Sequence, residues 1–166
     1  MEILLNKEPV KRVQKIISKF DSSIKIIVLS DTARTAKDAA SSLKCEVGAI
    51  VKSLLFRVEE SFLICLVAGD KRCSLNKLKK ILNKNDICMA NAVEVKKYTG
   101  FSIGGVSPVG HLEKMDILID KSFSRFDNVF AAAGHPNCVF KINYEKLIQI
   151  TNGSLEEISE WEKLNI

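Results

Sequence analysis

Histidine and proline are scarce in this chain, with two and three copies in 166 residues. A metal site wants three or four ligands at workable spacing, and His111, His135 and scattered cysteines do not supply one. No metal and no cofactor is expected. There is no G-x-S-x-G elbow, so a Ser-His-Asp hydrolase is unsupported. Neither a Walker P-loop nor a G-x-G-x-x-G element occurs. The cysteines at 45, 65, 73, 88 and 138 are odd in number and include no C-x-x-C pair. That pattern predicts a reduced, cytoplasmic compartment without a disulfide framework. Apolar runs reach only about eight residues, against the ~20 that span a bilayer, so no membrane association is expected. Glu2 and Glu8 stand where a signal peptide carries positive charge. Repeats, low-complexity linkers and dividing charge blocks are lacking too, which predicts one domain over residues 1–166.

What is present suits a packed globular fold. Hydrophobic residues make up 46% and charged residues 27%, with a net charge of +5. The small positive excess fits either an ordinary basic surface or attraction to a polyanion such as nucleic acid. Pro9 opens a helical pattern through Val10, Val13, Ile16, Ile17 and Phe20. Ile24–Leu29 is β-branched and reads as a buried strand, and Thr35–Leu43 is alanine-rich and reads as a helix. Ala49–Val58 and Ser61–Ala68 read as a hairpin around Glu59-Glu60. Ser74 and Asn91 are positioned to cap helices, the second ending at Gly100. Phe101–His111 reads as loop and Met115–Ile119 as strand. Two more strands, Val129–Ala133 and Cys138–Ile142, flank a Gly134-His135-Pro136 turn. Asn143 begins a helix, and Ser154–Glu160 is expected to form a last short one. The class is α+β, with a largely antiparallel sheet that is closed or strongly curved.

Four features carry candidate chemistry. Lys52 shares a strand face with Ile50, Leu54 and Phe56, and a cation on an apolar face is costly unless paired. It is either an edge lysine snorkelling to water or an amine aimed into a cleft at a phosphate, carboxylate or carbonyl oxygen. Gly100–His111 packs four glycines and a proline into twelve residues, which marks either a tight turn or a loop shaped for close approach to a ligand. Ala131-Ala132-Ala133-Gly134-His135-Pro136 runs small residues into a sharp turn. Lys71, Arg72, Lys77, Lys79, Lys80 and Lys84 form a basic segment, either solvated helix surface or a contact for an RNA backbone.

In this order the pieces resemble the YbaK/EbsC family of prolyl-tRNA synthetase-associated editing domains. The resemblance rests on Thr35-Ala36 with Ala39-Ala40 and Leu43, on Ile50 to Phe56 around Lys52, on Gly104-Gly105-Val106-Ser107-Pro108-Val109-Gly110-His111, and on Ala132-Ala133-Gly134-His135-Pro136. It runs from about residue 24 to 150. It implies a curved, barrel-like mixed sheet surrounded by helices. It implies hydrolysis of mischarged aminoacyl-tRNA, commonly proline tRNA carrying alanine, cysteine or another small amino acid. The family's essential lysine falls on Lys52, its Gly-Gly loop on Gly104 and Gly105, and its late glycine turn on Gly134, His135 and Pro136. Backbone N–H groups near Gly104-Gly105 are expected to stabilise the oxyanion. Thr35, Ser102, Ile103, Val106, Pro108 and His111 are expected around the amino-acid pocket, and Lys71, Arg72, Lys77, Lys79 and Lys80 along the tRNA backbone. With no synthetase domain in the sequence, the domain is expected to act in trans, with aminoacyl-tRNA and a prolyl-tRNA or other synthetase as partners. The rivals are a non-catalytic aminoacyl-tRNA- or synthetase-binding module and a small-molecule enzyme using Lys52 as Schiff-base or general-base residue.

Overall fold

The computed structural model describes residues 2–31 and 33–162. A short helix α1 (Glu2–Leu5) leads into α2 (Glu8–Phe20), which has Pro9 in its first turn and buries Val10, Val13 and Ile17. Strand β1 (Ile26–Val28) is followed by α3 (Ala36–Leu43), capped by Thr35 Oγ1 accepting from Asp38 N. The central hairpin is β2 (Ile50–Val58) and β3 (Ser61–Ala68), with β4 (Lys71–Cys73) just beyond. Ser74 caps α4 (Leu75–Leu82) as its sequence position predicts. β5 (Ile87–Met89) precedes α5 (Ala92–Thr99), where Asn91 and Glu94 form a reciprocal capping box and Gly100 ends the helix. Then come β6 (Asp116–Asp120), β7 (Asn128–His135), β8 (Cys138–Asn143), α6 (Tyr144–Thr151), β9 (Ser154–Glu156) and β10 (Ser159–Trp161).

The main sheet runs β1-β8-β7-β2-β3-β6-β9, with β5 also on β2, and β10 pairs β4 in a separate ribbon. Its ladders are mixed and mostly antiparallel: β2 meets β7, β3 meets β6 and β6 meets β9 in parallel, and the other pairs are antiparallel. Among the described residues no ladder joins β1 to β9. No helix there is long and apolar enough to cross a membrane, and the five cysteines are free thiols.

Both faces of the hairpin are covered, which is why β3 reads as an unbroken apolar run. Ile64, Leu66 and Ala68 enter one core with α2 and the Gly-rich loop. Leu63, Cys65 and Val67 enter a second core with Leu78 of α4. A third, smaller core lies under α3 and holds Ile50 of β2.

The helix expected over Ser154–Glu160 is not formed; the segment is β9 and β10. Its pairing partners are remote in sequence. Leu118, Ile119 and Asp120 align with Ser154, Leu155 and Glu156, and Cys73, Arg72 and Lys71 align with Ser159, Glu160 and Trp161. Ladder hydrogen bonds from those strands outweigh a local helical preference that was weak over so short a stretch.

Candidate active site

The cleft follows from how β2 is covered. α3 packs over its start at Ile50, and the α4 side packs over its end at Phe56. Lys52 lies on that same face between the two. Pairing thins out there as well: β7 matches only Ile50 and Val51, and β5 only Phe56 to Val58. The result is a cavity of about 870 Å³, mostly apolar, open to one side. Ala36 and Ala39 of α3, Ile50, Ala132 and Val139 give it a small-residue wall. Thr35, Lys52, Ile103, Gly104, Val106 and Pro136 all border it.

Lys52 is half-buried. Its amine donates to the carbonyl of Lys71 and lies 3.5 Å from Glu162 Oε1, whose side chain is exposed. The apolar stem is covered by the strand face, and Lys52 is among the residues that line the cavity. Exposed ion pairs are worth about 0.2–1 kcal/mol, so an anionic ligand exchanges for Glu162 at little cost. Beside it, Ser53 Oγ is buried without a hydrogen-bond partner and also belongs to the wall. Asp70 borders the cavity too. It receives a two-pronged pair from Arg125 at 2.8 and 2.9 Å, and that guanidinium holds its carboxyl below the usual range despite the opposing effect of burial.

The two glycine turns press on each other beside the cavity. A side chain on Gly105 would bring its Cβ to 2.9 Å from His135 Cα. Gly104 faces the opening, where an added Cβ would meet Pro136 Cγ first, at 3.5 Å. Gly105 N–H is committed to Ser102 O at 2.9 Å, so that group is already spent in the turn. Gly134 has φ +93°, and an added Cβ would lie 2.8 Å from the backbone of Pro9 at the start of α2. Gly134→Ala is therefore expected to destabilise the fold by about 2 kcal/mol or more, read by urea unfolding.

Several expected residues stand behind the cavity rather than on it. His111 Nε2 donates to Ser107 O at 2.7 Å, and the ring meets Phe101 edge-on. Burial lowers its pKa, against the raising effect of that bond. Pro108 is buried and Ser102 is exposed; neither borders the cavity, and Gly105, Gly134 and His135 do not either. His135 Nδ1 accepts from Asn137 N at 3.0 Å, and the Asn137 amide reaches Leu29 O and Asp31 O. Arg12 of α2 ties the Gly-rich loop down: Nε donates to Gly110 O at 2.7 Å, and the guanidinium lies 4.6 Å from the Phe101 ring centre.

The basic segment is largely engaged within the chain. Arg72 pairs Glu160 at 2.8 Å, Lys77 reaches Glu157 at 3.4 Å and Ser159 O at 2.6 Å, and Lys84 lies 3.5 Å from Glu59. Lys71 Nζ sits 4.4 Å from the Trp161 ring centre. Lys80 is exposed and Lys79 partly so. Sequence reasoning missed Asp70, Trp161 and Glu162, which border the cavity, and Arg125, which pairs with Asp70 behind it; a charged pair within a polar surface sequence gives no local signal.

Residues 30–150 match the family model described as an aminoacyl-tRNA editing domain. The chain belongs to this family. The match agrees with the four motifs that resemble YbaK/EbsC proteins. This editing domain is 25% identical over 146 residues to a proline–tRNA ligase of Bacillus velezensis, covering 87% of the chain and 24% of the ligase, so it spans about a quarter of that relative. It is 26% identical over 155 residues to YwhH of Bacillus subtilis, an uncharacterized protein, covering 92% of the chain and 98% of YwhH. The crystal structure of a candidate trans-editing enzyme for prolyl tRNA synthetase is 33% identical, with a TM-score of 0.87 over 93% of this chain and 98% of that one.

Proposed function

We propose that this editing domain is a trans-acting hydrolase that cleaves the ester between a small non-cognate amino acid, such as alanine or cysteine, and proline tRNA. The observation that carries the reading is the half-buried Lys52 amine on the wall of an apolar cavity bounded by alanines and Gly104. A volume of about 870 Å³ falls within the ~300–1,000 Å³ of sites that enclose a ligand larger than an amino acid alone, which suits an aminoacyl-adenosine end.

An aminoacyl ester is already activated, so the protein's task is to position water and stabilise the oxyanion. Lys52 holds the terminal adenosine phosphate or the ester carbonyl. The Gly104 turn supplies backbone beside the reacting carbon, and Ser53 Oγ has an unused hydrogen bond to offer. Thr35, Ile103, Val106 and Pro136 bound the amino-acid side chain. Gly105, Pro108, His111, Gly134 and His135 shape the loops that bound it, and Ser102, exposed beside Ile103, is open to the bound substrate. Lys71, Arg72, Lys77, Lys79 and Lys80 lie on the side where a tRNA backbone approaches, which makes binding salt-sensitive. The selective logic is physical: one methylene is worth only about 1–3 kcal/mol, so a synthetase that admits proline also admits smaller amino acids, and a second small pocket removes them.

The test is a deacylation panel of proline tRNA charged with alanine, cysteine, serine, 2-aminobutyrate and proline. The expected result is rapid release of one or two small amino acids and retention of proline. Retention of every ester, with tRNA binding intact, would instead identify a binding module.

A further inference from the structure

The segment after α6 lies beyond residue 150, where the family match ends, and yet it reaches the cavity. Trp161 and Glu162 are both on its rim. Trp161 is 62% exposed, a large apolar surface for a residue at the end of a strand. The indole is held rather than loose. It pairs in register with Lys71 across the β10–β4 ribbon, and two cations lie against it, Lys71 Nζ at 4.4 Å and the Arg125 guanidinium at 5.3 Å from the ring centre. Lys71 is also the residue whose carbonyl accepts from Lys52. The exposed ring and the amine proposed to hold the ester end are thus anchored to the same residue.

An indole that is 62% exposed, with cations over its ring and its strand partner Lys71 also holding the Lys52 amine, has the chemistry that receives a nucleobase on its open surface. The base stacks on the ring while Lys71 meets a flanking phosphate. Aromatic stacking is sequence-tolerant, because every base has a π-face, so it suits the invariant end of any tRNA. Glu162, next in the chain, pairs Lys52 until the ligand's own anion replaces it. The opposing carboxylate at Asp70 is already neutralised by Arg125, so the rim keeps its positive character.

We propose that Trp161 binds substrate by stacking a nucleobase of the single-stranded 3′ end of the tRNA, bringing the ester to Lys52. This rests on the deacylase reading above, and the experiment separates the two. Trp161 is the sole tryptophan in the chain, so its fluorescence reports on this site alone. Titration with the trinucleotide CCA is expected to quench it saturably, while a trinucleotide of abasic sugars leaves it unchanged. In deacylation of alanyl proline tRNA, Trp161→Ala is expected to raise KM about 5- to 100-fold with kcat within about twofold, and Trp161→Phe to recover most of the loss. A melting temperature unchanged in both variants shows that the fold is intact. Absence of quenching with KM unaltered overturns the proposal and leaves the deacylase reading standing. A fall in kcat at constant KM also overturns it, since that outcome marks a purely structural role at Lys52. CCA quenching in a protein that deacylates no ester supports base stacking and defeats the deacylase reading alone. Quenching by a synthetase fragment but not by CCA overturns stacking in favour of a protein-docking surface.

Discussion

Lys52→Ala is expected to lower deacylation of the preferred mischarged tRNA by at least about 100-fold, while the protein keeps its fold. The magnitude follows from losing one charge-bearing contact to the reacting end, a device worth about 2.7–4 kcal/mol where it acts on a developing oxyanion. The fold survives because the amine makes a single backbone hydrogen bond, to Lys71 O, and a loose pair with exposed Glu162. Removing one such bond at a half-exposed site costs about 1 kcal/mol. Lys52→Arg is not expected to rescue activity: the guanidinium is planar and spreads its charge over a fork, so it does not present the compact point charge that Lys52 brings to the wall. Single-turnover deacylation beside a thermal melt is the measurement. Wild-type rates from the alanine variant would remove Lys52 from the chemistry.

Asp120→Ala is expected to cost the most stability of any single change near the site, about 3 kcal/mol, or roughly 6–12 °C in melting temperature. Asp120 is 1% exposed and accepts from the entry to β10 and from Ser122. Oδ1 receives Ile158 N at 3.0 Å, and Oδ2 receives Ser159 Oγ at 2.7 Å, Ser122 N at 3.2 Å and Ser122 Oγ. Truncation leaves those donors buried and unpaired, and it frees the ribbon that carries Trp161 and Glu162. The same carboxyl sets an acid limit. Burial works against its ionisation, but the hydrogen bonds from Ser122, Ser159 and Ile158 outweigh burial and hold its pKa below the ordinary 3.8. A group depressed in the folded state contributes its stability above its unfolded value and loses it as pH falls through the folded value. The wild type is therefore expected to destabilise steeply below about pH 4 relative to Asp120→Asn, read by urea midpoints from pH 7 to 3. Parallel pH curves for the two proteins would exclude this carboxyl as the cause.

The caps and the central hairpin were legible because their signals are local. Ser74, Asn91 and Asn143 cap the helices that follow them, and Glu59-Glu60 turns β2 into β3. Lys52 was legible for a related reason: a charge in an apolar alternation is anomalous within five residues of sequence. The inward residues of the Gly-rich loop were not separable in that way. Val106 borders the cavity and Pro108, two positions on, is buried away from it. That difference is set by where Arg12 pins the loop and where His135 backs it, contacts from residues 12 and 135 that no window on the loop contains.

The chain by itself determined which segments become helices and strands over most of its length, because capping residues, glycines and apolar periodicity act within a turn or a strand. It also determined that an amine interrupts an otherwise apolar stretch of strand, at Lys52. Only the tertiary structure decided that Ser154–Glu156 and Ser159–Trp161 become strands, that Glu162 pairs Lys52, and that Trp161 borders the same cavity. Those outcomes depend on ladder bonds and ion pairs between residues some 36 to 110 positions apart, such as Leu118 with Ser154, Arg72 with Glu160 and Lys52 with Glu162. Their free energy exists only once the chain has closed those distances.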